Sequence, residues 1–159
     1  MPSATPDINV SLAVTRPLSE VGTTQLYKAV THGRTEAGTF PIELAPYAGA
    51  SKKPYAPCRL MAVQDAASGD WALRWVRRTR IGGAWTGGTP IPLGEVSEAY
   101  AVEIMNGAVI KRTISGLSAP TTTYTAAQQV ADWGSTQAAI SWRVYQISDA
   151  VGRGFAGVS

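Results

Sequence analysis

An alternation of large apolar side chains in the middle of the chain constrains its fold more than any other feature. Trp71, Leu73 and Trp75 occupy every second position, with small or charged residues between them. A period of two places the large side chains on one face, as in a β-strand with one buried face. Because tryptophan is rarely left on a solvent face, this segment is predicted to be a core strand.

The same period of two returns after a loop rich in glycine and proline. Tyr100, Val102 and Ile104 lie at alternate positions, and the dipeptide Asn106-Gly107 follows them. This dipeptide predicts a type I′ hairpin, because both central residues of that turn have positive φ angles. The later segments are also short and β-like, with turn signals between them, which predicts an all-β sandwich.

The residues predicted to form the core are large and lie at alternate positions of these strands. They are Leu73, Trp75, Tyr100, Val102, Ile104 and Tyr124. In the predicted strand at residues 140–147, two sets can face inward: either Trp142 with Val144, or Tyr145 with Ile147. The stretch 126–134 is interpreted as a helical turn or a connection, and no other helix is predicted.

The first 54 residues are predicted to form an N-terminal docking region, and residues 55–159 the sandwich. Segment 8–14 alternates like a strand, but Pro17 separates it from local partners, so it is interpreted as an extended arm or edge strand. Two β-like runs between residues 22 and 47 predict a small β region. Because an unpaired strand needs hydrogen-bond partners, we expect the arm to pair with another copy of the chain or with a different protein.

Composition and the absence of known signals exclude several classes of protein. With 45% apolar and 16% charged residues among 159, the chain is predicted to be folded. The formal charge of +3 is mild, and the arginines at positions 74, 77, 78 and 80 are interpreted as a solvated face rather than a nucleic-acid site. Neither a signal peptide nor a membrane-spanning segment is recognised, so synthesis in a cytoplasm is expected. The single Cys58 cannot form an intrachain disulfide.

No catalytic, metal or cofactor site is predicted, and the chain is not expected to be an enzyme. Glu95 and Glu98, with Asp70 possible as a neighbour, resemble the carboxylate pair of a glycosidase, but salt bridges to nearby arginines are the favoured interpretation. His32, the only histidine, has no second ligand at metal spacing and is interpreted as a turn residue. The sequence contains no P-loop, dinucleotide fingerprint or nucleophile elbow.

The candidate binding residues lie in loops. The loop at 80–95 contains Arg80, Trp85 and Thr86, and an exposed Trp between glycines can stack on a sugar ring or anchor a protein interface. The alternative is that Trp85 packs back onto Pro92 and Leu93. Trp133 is a second aromatic candidate, whose alternative role is to cap the end of the sandwich.

Several of these motifs, taken in order, resemble a fibronectin type III domain over residues 55–159. The motifs are Leu73-x-Trp75, Tyr100-x-Val102, Thr123-Tyr124 and Gly152-Arg153-Gly154. The resemblance implies an antiparallel sandwich of two sheets whose loops cluster at its two ends.

A longer signature lies within this region. It runs from Asp70 to Trp75 (DWALRW), through Arg77-Arg78-Thr79-Arg80 and Trp85, to Pro92-Leu93-Gly94-Glu95 and Glu98-Ala99-Tyr100. This signature is similar to the C-terminal part of the large tail-tip proteins, often named host specificity proteins, of gene transfer agents and related siphophages of α-proteobacteria. Those proteins also carry large hub domains that this chain lacks.

The resemblance implies a structural protein of the virion, at the distal tip of the tail or in a tail fibre. Its implied partners are tail-tip hub proteins and a host receptor, either glycan or protein, and its implied assembly is a homotrimer made in the host cytoplasm. A different class of function is a carbohydrate-binding accessory module of a secreted polysaccharide-degrading system. The missing signal peptide and the absence of disulfides disfavour that alternative.

Overall fold

The computed structural model of the chain describes residues 17–28, 41–44, 46, 48–83 and 90–159. The chain divides into two compact units, Met1–Gly49 and Ala50–Ser159. The predicted N-terminal arm and the single histidine, His32, lie outside the described residues, as do the loop candidates Trp85 and Thr86.

The N-terminal unit contains a small antiparallel pair of strands. A 3-10 helix at Leu18–Glu20 precedes β1 (Gln25–Lys28), which pairs with β2 (Pro41–Leu44). Proline cannot donate a ladder hydrogen bond, and it stands at the first position of β2, where proline is tolerated in a sheet. The small β region predicted from the sequence is therefore confirmed.

The described residues of the second unit form eight strands and one α-helix, after a 3-10 helix at Ala50–Lys52. The strands are β3 (Cys58–Gln64), β4 (Trp71–Val76), β5 (Tyr100–Asn106), β6 (Val109–Leu117), β7 (Thr121–Tyr124), β8 (Ser141–Ser148), β9 (Gly152–Arg153) and β10 (Gly157–Val158). One sheet has the order β3-β4-β7, and the other has the order β10-β8-β5-β6, with β9 also paired to β8. Every pair is antiparallel. This is the predicted all-β, fibronectin type III-like sandwich.

The core lies between the two sheets. It contains all six residues that the sequence pattern placed there, together with Trp142 and Val144 of β8. The Trp75 ring meets Tyr100 edge-on at a centroid distance of 5.2 Å, and it lies 6.1 Å from the ring of Trp142. The sequence left two inward-facing sets open for the strand at 140–147. The inward set is Trp142 with Val144, since Trp142 is 1% exposed and Tyr145 lies on the outer face.

The hairpin predicted at Asn106-Gly107 forms one residue later than the dipeptide suggests. Asn106 pairs with Val109, so the two central residues are Gly107 and Ala108. Gly107 has a φ of 58°, whereas Ala108 does not have a positive φ. Positive φ at the first central position alone is the pattern of a type II′ turn, so the predicted type I′ turn is wrong.

The stretch that the sequence left open as a helical turn or a connection is an α-helix, α1 (Ala126–Trp133). The Thr125 side chain accepts a hydrogen bond from the Gln128 backbone, and the Gln128 side chain accepts one from the Thr125 backbone. This reciprocal capping box satisfies two amides at the helix start. Gly134, with a φ of 82°, ends the helix in the left-handed conformation that glycine adopts without strain.

Two buried glutamines differ in how their amides are satisfied. The Gln129 side chain donates to the carbonyls of Gly69 and Tyr124 and accepts from the amide of Gln137, which ties three connections together. Gln146 is 1% exposed, yet among the residues that the structure describes neither its side-chain nitrogen nor its oxygen has a hydrogen-bond partner. A buried polar group without a partner costs about 1–3 kcal/mol of stability.

Replacing Gln146 with methionine is therefore expected to stabilise the fold. Methionine has a similar shape and no amide to desolvate, so the free energy of unfolding should rise by about 1–2 kcal/mol. Urea denaturation of the wild type and the variant measures the difference. The matched control is Gln129→Met, which removes three hydrogen bonds and should destabilise the fold. A destabilised Gln146→Met variant would mean that the amide has a partner in solution.

Candidate binding surface

The connection from β4 to β5 is a long loop at one end of the sandwich, and arginines tie its two limbs together. The Arg77 guanidinium donates to the carbonyl oxygens of Pro92 at 3.0 Å and Ile91 at 2.8 Å. Arg80 Nε donates to Glu95 Oε1 at 2.9 Å. These contacts join the limb at 77–83 to the limb at 90–95.

The two limbs also approach each other closely at Gly82 and Pro92. A Cβ atom on Gly82 would lie 3.0 Å from Pro92 Cγ, so only glycine allows the two limbs to lie this close without a shift. The Thr79 hydroxyl donates to the Ile81 carbonyl at 2.8 Å and accepts from the Ile81 amide at 3.1 Å. The described parts of the loop therefore form an ordered base on either side of residues 84–89.

Three aliphatic side chains of this loop face solvent. Ile81 is 51% exposed, Ile91 58% and Val96 89%. We call these three residues the loop aliphatic set. Single exposed aliphatic residues are common on protein surfaces, and these three belong to one loop whose limbs are held together.

Arg80, which the sequence predicted to be a binding residue, joins the two limbs of the loop through its ion pair with Glu95. Its side chain is 20% exposed and its ion-pair partner Glu95 only 5%. The sequence predicted that Glu95 would pair with a nearby arginine, and Arg80 is that partner. Beside this pair, Arg78 lies 5.3 Å from the centre of the Tyr55 ring, so a second arginine packs on an aromatic residue at the same end of the sandwich.

Three carboxylates were candidates for a catalytic acid pair: Glu95, Glu98 and Asp70. Each of them makes a separate contact. Glu98 accepts from the Tyr100 hydroxyl at 2.7 Å, and burial followed by this hydrogen bond raises the pKa of Tyr100 above its usual value. Asp70 accepts from the Ala126 amide at 2.7 Å, at the start of α1. Asp70 directly precedes β4 while Glu95 and Glu98 precede β5, so Asp70 lies at the opposite end of the sandwich.

The aromatic candidate Trp133 lies at that opposite end and is partly buried against the core. Its indole Nε1 donates to the Tyr124 hydroxyl at 3.0 Å. Lys111 Nζ lies 5.0 Å from the centre of the Trp133 ring, which covers a ring face that a sugar would need for stacking. Burial, followed by the hydrogen bond to Asp132, raises the pKa of Tyr124 to about 12.

A cluster that the sequence did not indicate lies on the outer face of the five-stranded sheet. Glu103 of β5 is 1% exposed and accepts from Arg143 Nε at 2.6 Å and Arg153 Nη1 at 2.5 Å. The guanidinium carbons of Arg143 and Arg153 lie 5.7 Å and 4.9 Å from the centre of the Tyr145 ring. We call these four residues the Glu103 cluster. A glutamate between Val102 and Ile104 has the pattern of a solvent-facing residue, so alternation carries no signal of its burial.

Two absences hold for the part of the chain that the structure describes. Within those residues, no group of three or more histidine, cysteine, aspartate or glutamate side chains is placed to hold a metal ion. No described helix has both the length and the apolar character that crossing a bilayer requires.

Comparisons with known proteins gave matches among solved structures alone. No protein-family model matches the chain, and the search of curated proteins gave no match. Among solved structures, the chain is similar to the extracellular region of rat CD45, domains d3–d4, with a TM-score of 0.45 and 10% identity. The match covers 100% of this chain and 72% of that chain.

Proposed function

We propose that the chain is a structural component of a siphophage tail tip or tail fibre and that it contacts the host surface through the loop between β4 and β5. The observation that carries the proposal is the loop aliphatic set, Ile81, Ile91 and Val96, presented on a base braced by Arg77 and Arg80. The similarity of residues 70–100 to tail-tip proteins supports the assignment to a virion.

A braced loop suits recognition for an energetic reason. Binding by a flexible loop costs conformational entropy, and the contacts between the limbs 77–83 and 90–95 reduce that cost in advance. Exposed aliphatic residues then gain free energy when a partner covers them. Trp85, whose side chain is of the type enriched in binding hot spots, belongs to the same loop in the sequence.

The proposed assembly is a homotrimer at the distal tail tip, attached through residues 1–54 to tail-tip hub proteins. Its support is the alternating segment 8–14 and the resemblance to threefold tail tips. The proposed receptor is a glycan or a protein of the host surface. Light scattering on the purified full chain measures the copy number.

The test of loop recognition is the binding of fluorescently labelled full chain to cells of a strain that the particles infect. The double variant Ile81→Thr/Ile91→Thr is expected to bind at least about tenfold more weakly, because two exposed aliphatic contacts become polar. The matched control is Val63→Thr/Val109→Thr. Those valines are 65% and 61% exposed and lie at the opposite end of the sandwich.

Equal binding by the loop variant and the wild type would contradict recognition through this loop. An antibody against the chain should also label the distal end of the tail in electron micrographs, and particles without label there would contradict the virion assignment. Binding of isolated monomer to a glycan array, without affinity for tail proteins, would favour the carbohydrate-binding accessory module instead.

A further inference from the structure

Hydrogen bonds link the side chains of the Glu103 cluster, although the cluster lies on the outer face of a sheet. Arg143 and Glu103 lie directly opposite each other on β8 and β5, and Arg153 reaches the same carboxylate from β9. Burial alone would raise the pKa of Glu103, but hydrogen bonds from Arg153 and Arg143 hold it below its usual value. The carboxylate is therefore ionised at neutral pH and fixes both guanidinium groups.

Both arginines have guanidinium donors that Glu103 does not use. The Arg143 side chain is 32% exposed and that of Arg153 is 48% exposed. Within the described part of the chain, both terminal nitrogens of Arg143 have no hydrogen-bond partner, and neither do Nε and Nη2 of Arg153. Guanidinium groups hold carboxylates through two parallel hydrogen bonds, so these donors suit a planar oxyanion.

The net charge of the Glu103 cluster favours an oxyanion with a single negative charge. Two arginines and one ionised glutamate leave a net charge of about +1, which a single carboxylate neutralises. A doubly charged phosphate would place excess negative charge beside Glu103. The hydroxyls of Thr113 and Ser115 are exposed on neighbouring β6, where they can pair with hydroxyls of a sugar ring.

We propose that Arg143 and Arg153, held by Glu103 and Tyr145, form a binding site for the carboxylate of an acidic sugar. The site lies on the outer face of the five-stranded sheet and is separate from the loop between β4 and β5. It does not depend on the proposed role in a phage tail.

The experiment measures binding of the full chain to immobilised polygalacturonate by surface plasmon resonance. Neutral dextran, dextran sulfate and poly-L-glutamate serve as comparison surfaces. The wild type is expected to bind polygalacturonate more tightly than all three. Arg153→Gln is expected to weaken this binding at least about tenfold, since it removes one of the two guanidinium groups. Arg153→Lys, which keeps the charge but loses the planar fork, should give an intermediate loss.

The matched control is Arg74→Gln, which removes the same charge from an exposed position on the other sheet. Its binding should change by less than about twofold, because long-range charge effects are screened by salt. An equal loss in Arg74→Gln and Arg153→Gln, or unchanged binding in Arg153→Gln, would overturn the site. Equal binding to poly-L-glutamate would overturn the assignment to a sugar.

Loss of folding in the Arg153 variants is checked by circular dichroism and by their melting temperatures. A second measurement keeps the proposal testable if a variant is unstable. Adding free glucuronate to the wild-type chain is expected to shift the NMR signals of the Tyr145 ring and the Arg153 Nε, and not that of the Arg74 Nε. Absence of such shifts at saturating glucuronate would contradict the proposal.

Discussion

Replacing Trp75 with alanine is expected to lower the free energy of unfolding by about 3–5 kcal/mol. The side chain is 4% exposed and lies between the two sheets, in contact with the rings of Tyr100 and Trp142. Its removal leaves a cavity that the surrounding strands cannot fill completely. Because a domain of this size is stable by roughly 5–15 kcal/mol, a large share of the total would be lost. Urea denaturation followed by circular dichroism measures the difference.

The control for this substitution is the next residue along the same strand. Val76 faces outward and is 47% exposed, so Val76→Ala should change the unfolding free energy by less than about 0.5 kcal/mol. Equal stability of Trp75→Ala and the wild type would contradict the inward orientation of β4 and, with it, the packing of the two sheets.

Replacing Asp132 with alanine is expected to cost roughly 2–4 kcal/mol, the second largest effect. Asp132 on α1 accepts from Arg112 Nε at 2.7 Å and Nη2 at 2.8 Å, a bidentate pair, and from the Tyr124 hydroxyl at 2.7 Å. The variant leaves both donors without this acceptor and weakens the attachment of α1 to β6. The matched control is Asp149→Ala, whose side chain is exposed in the turn after β8.

The contribution of Asp132 should depend on pH in a defined direction. Burial alone would raise its pKa, but the hydrogen bonds from Arg112 and Tyr124 hold the pKa below its usual value of 3.8. A carboxylate with a lowered pKa stabilises the fold above the unfolded-state pKa and loses that effect as the pH falls through the folded-state value. The stability difference between wild type and Asp132→Ala should therefore be constant near neutral pH and shrink below about pH 4. A difference that stays constant down to pH 2 would contradict the ion pair.

Alternation along the chain was sufficient to predict the core strands. Leu73 and Trp75 on β4, and Val102 and Ile104 on β5, are buried as their period of two indicates. Period two is a local property of an extended backbone, so it needs no knowledge of the partner strand. The helix α1 had a local signal as well, since Thr125 and Gln128 form a capping box that the sequence displays.

Where both faces of a strand carry large side chains, the local pattern could not decide which face is buried. On β8, Trp142 and Tyr145 were equally suited to the core by composition. Pairing with β5 places Trp142 opposite Ile104 and Tyr145 opposite Ala101, and residues directly opposite each other share a face. The register between two strands, which is a tertiary property, therefore assigned Trp142 to the core.

The sequence by itself determined the buried faces of β4 and β5 and the expectation that Glu95 pairs with an arginine. Only the tertiary structure decided which polar groups are buried. Glu103 is enclosed because Arg143 and Arg153 reach it from 40 and 50 residues away. Alternation indicates the face of the strand on which a residue lies. The burial of a charge depends instead on distant partners, which only the assembled sheet brings within hydrogen-bond distance.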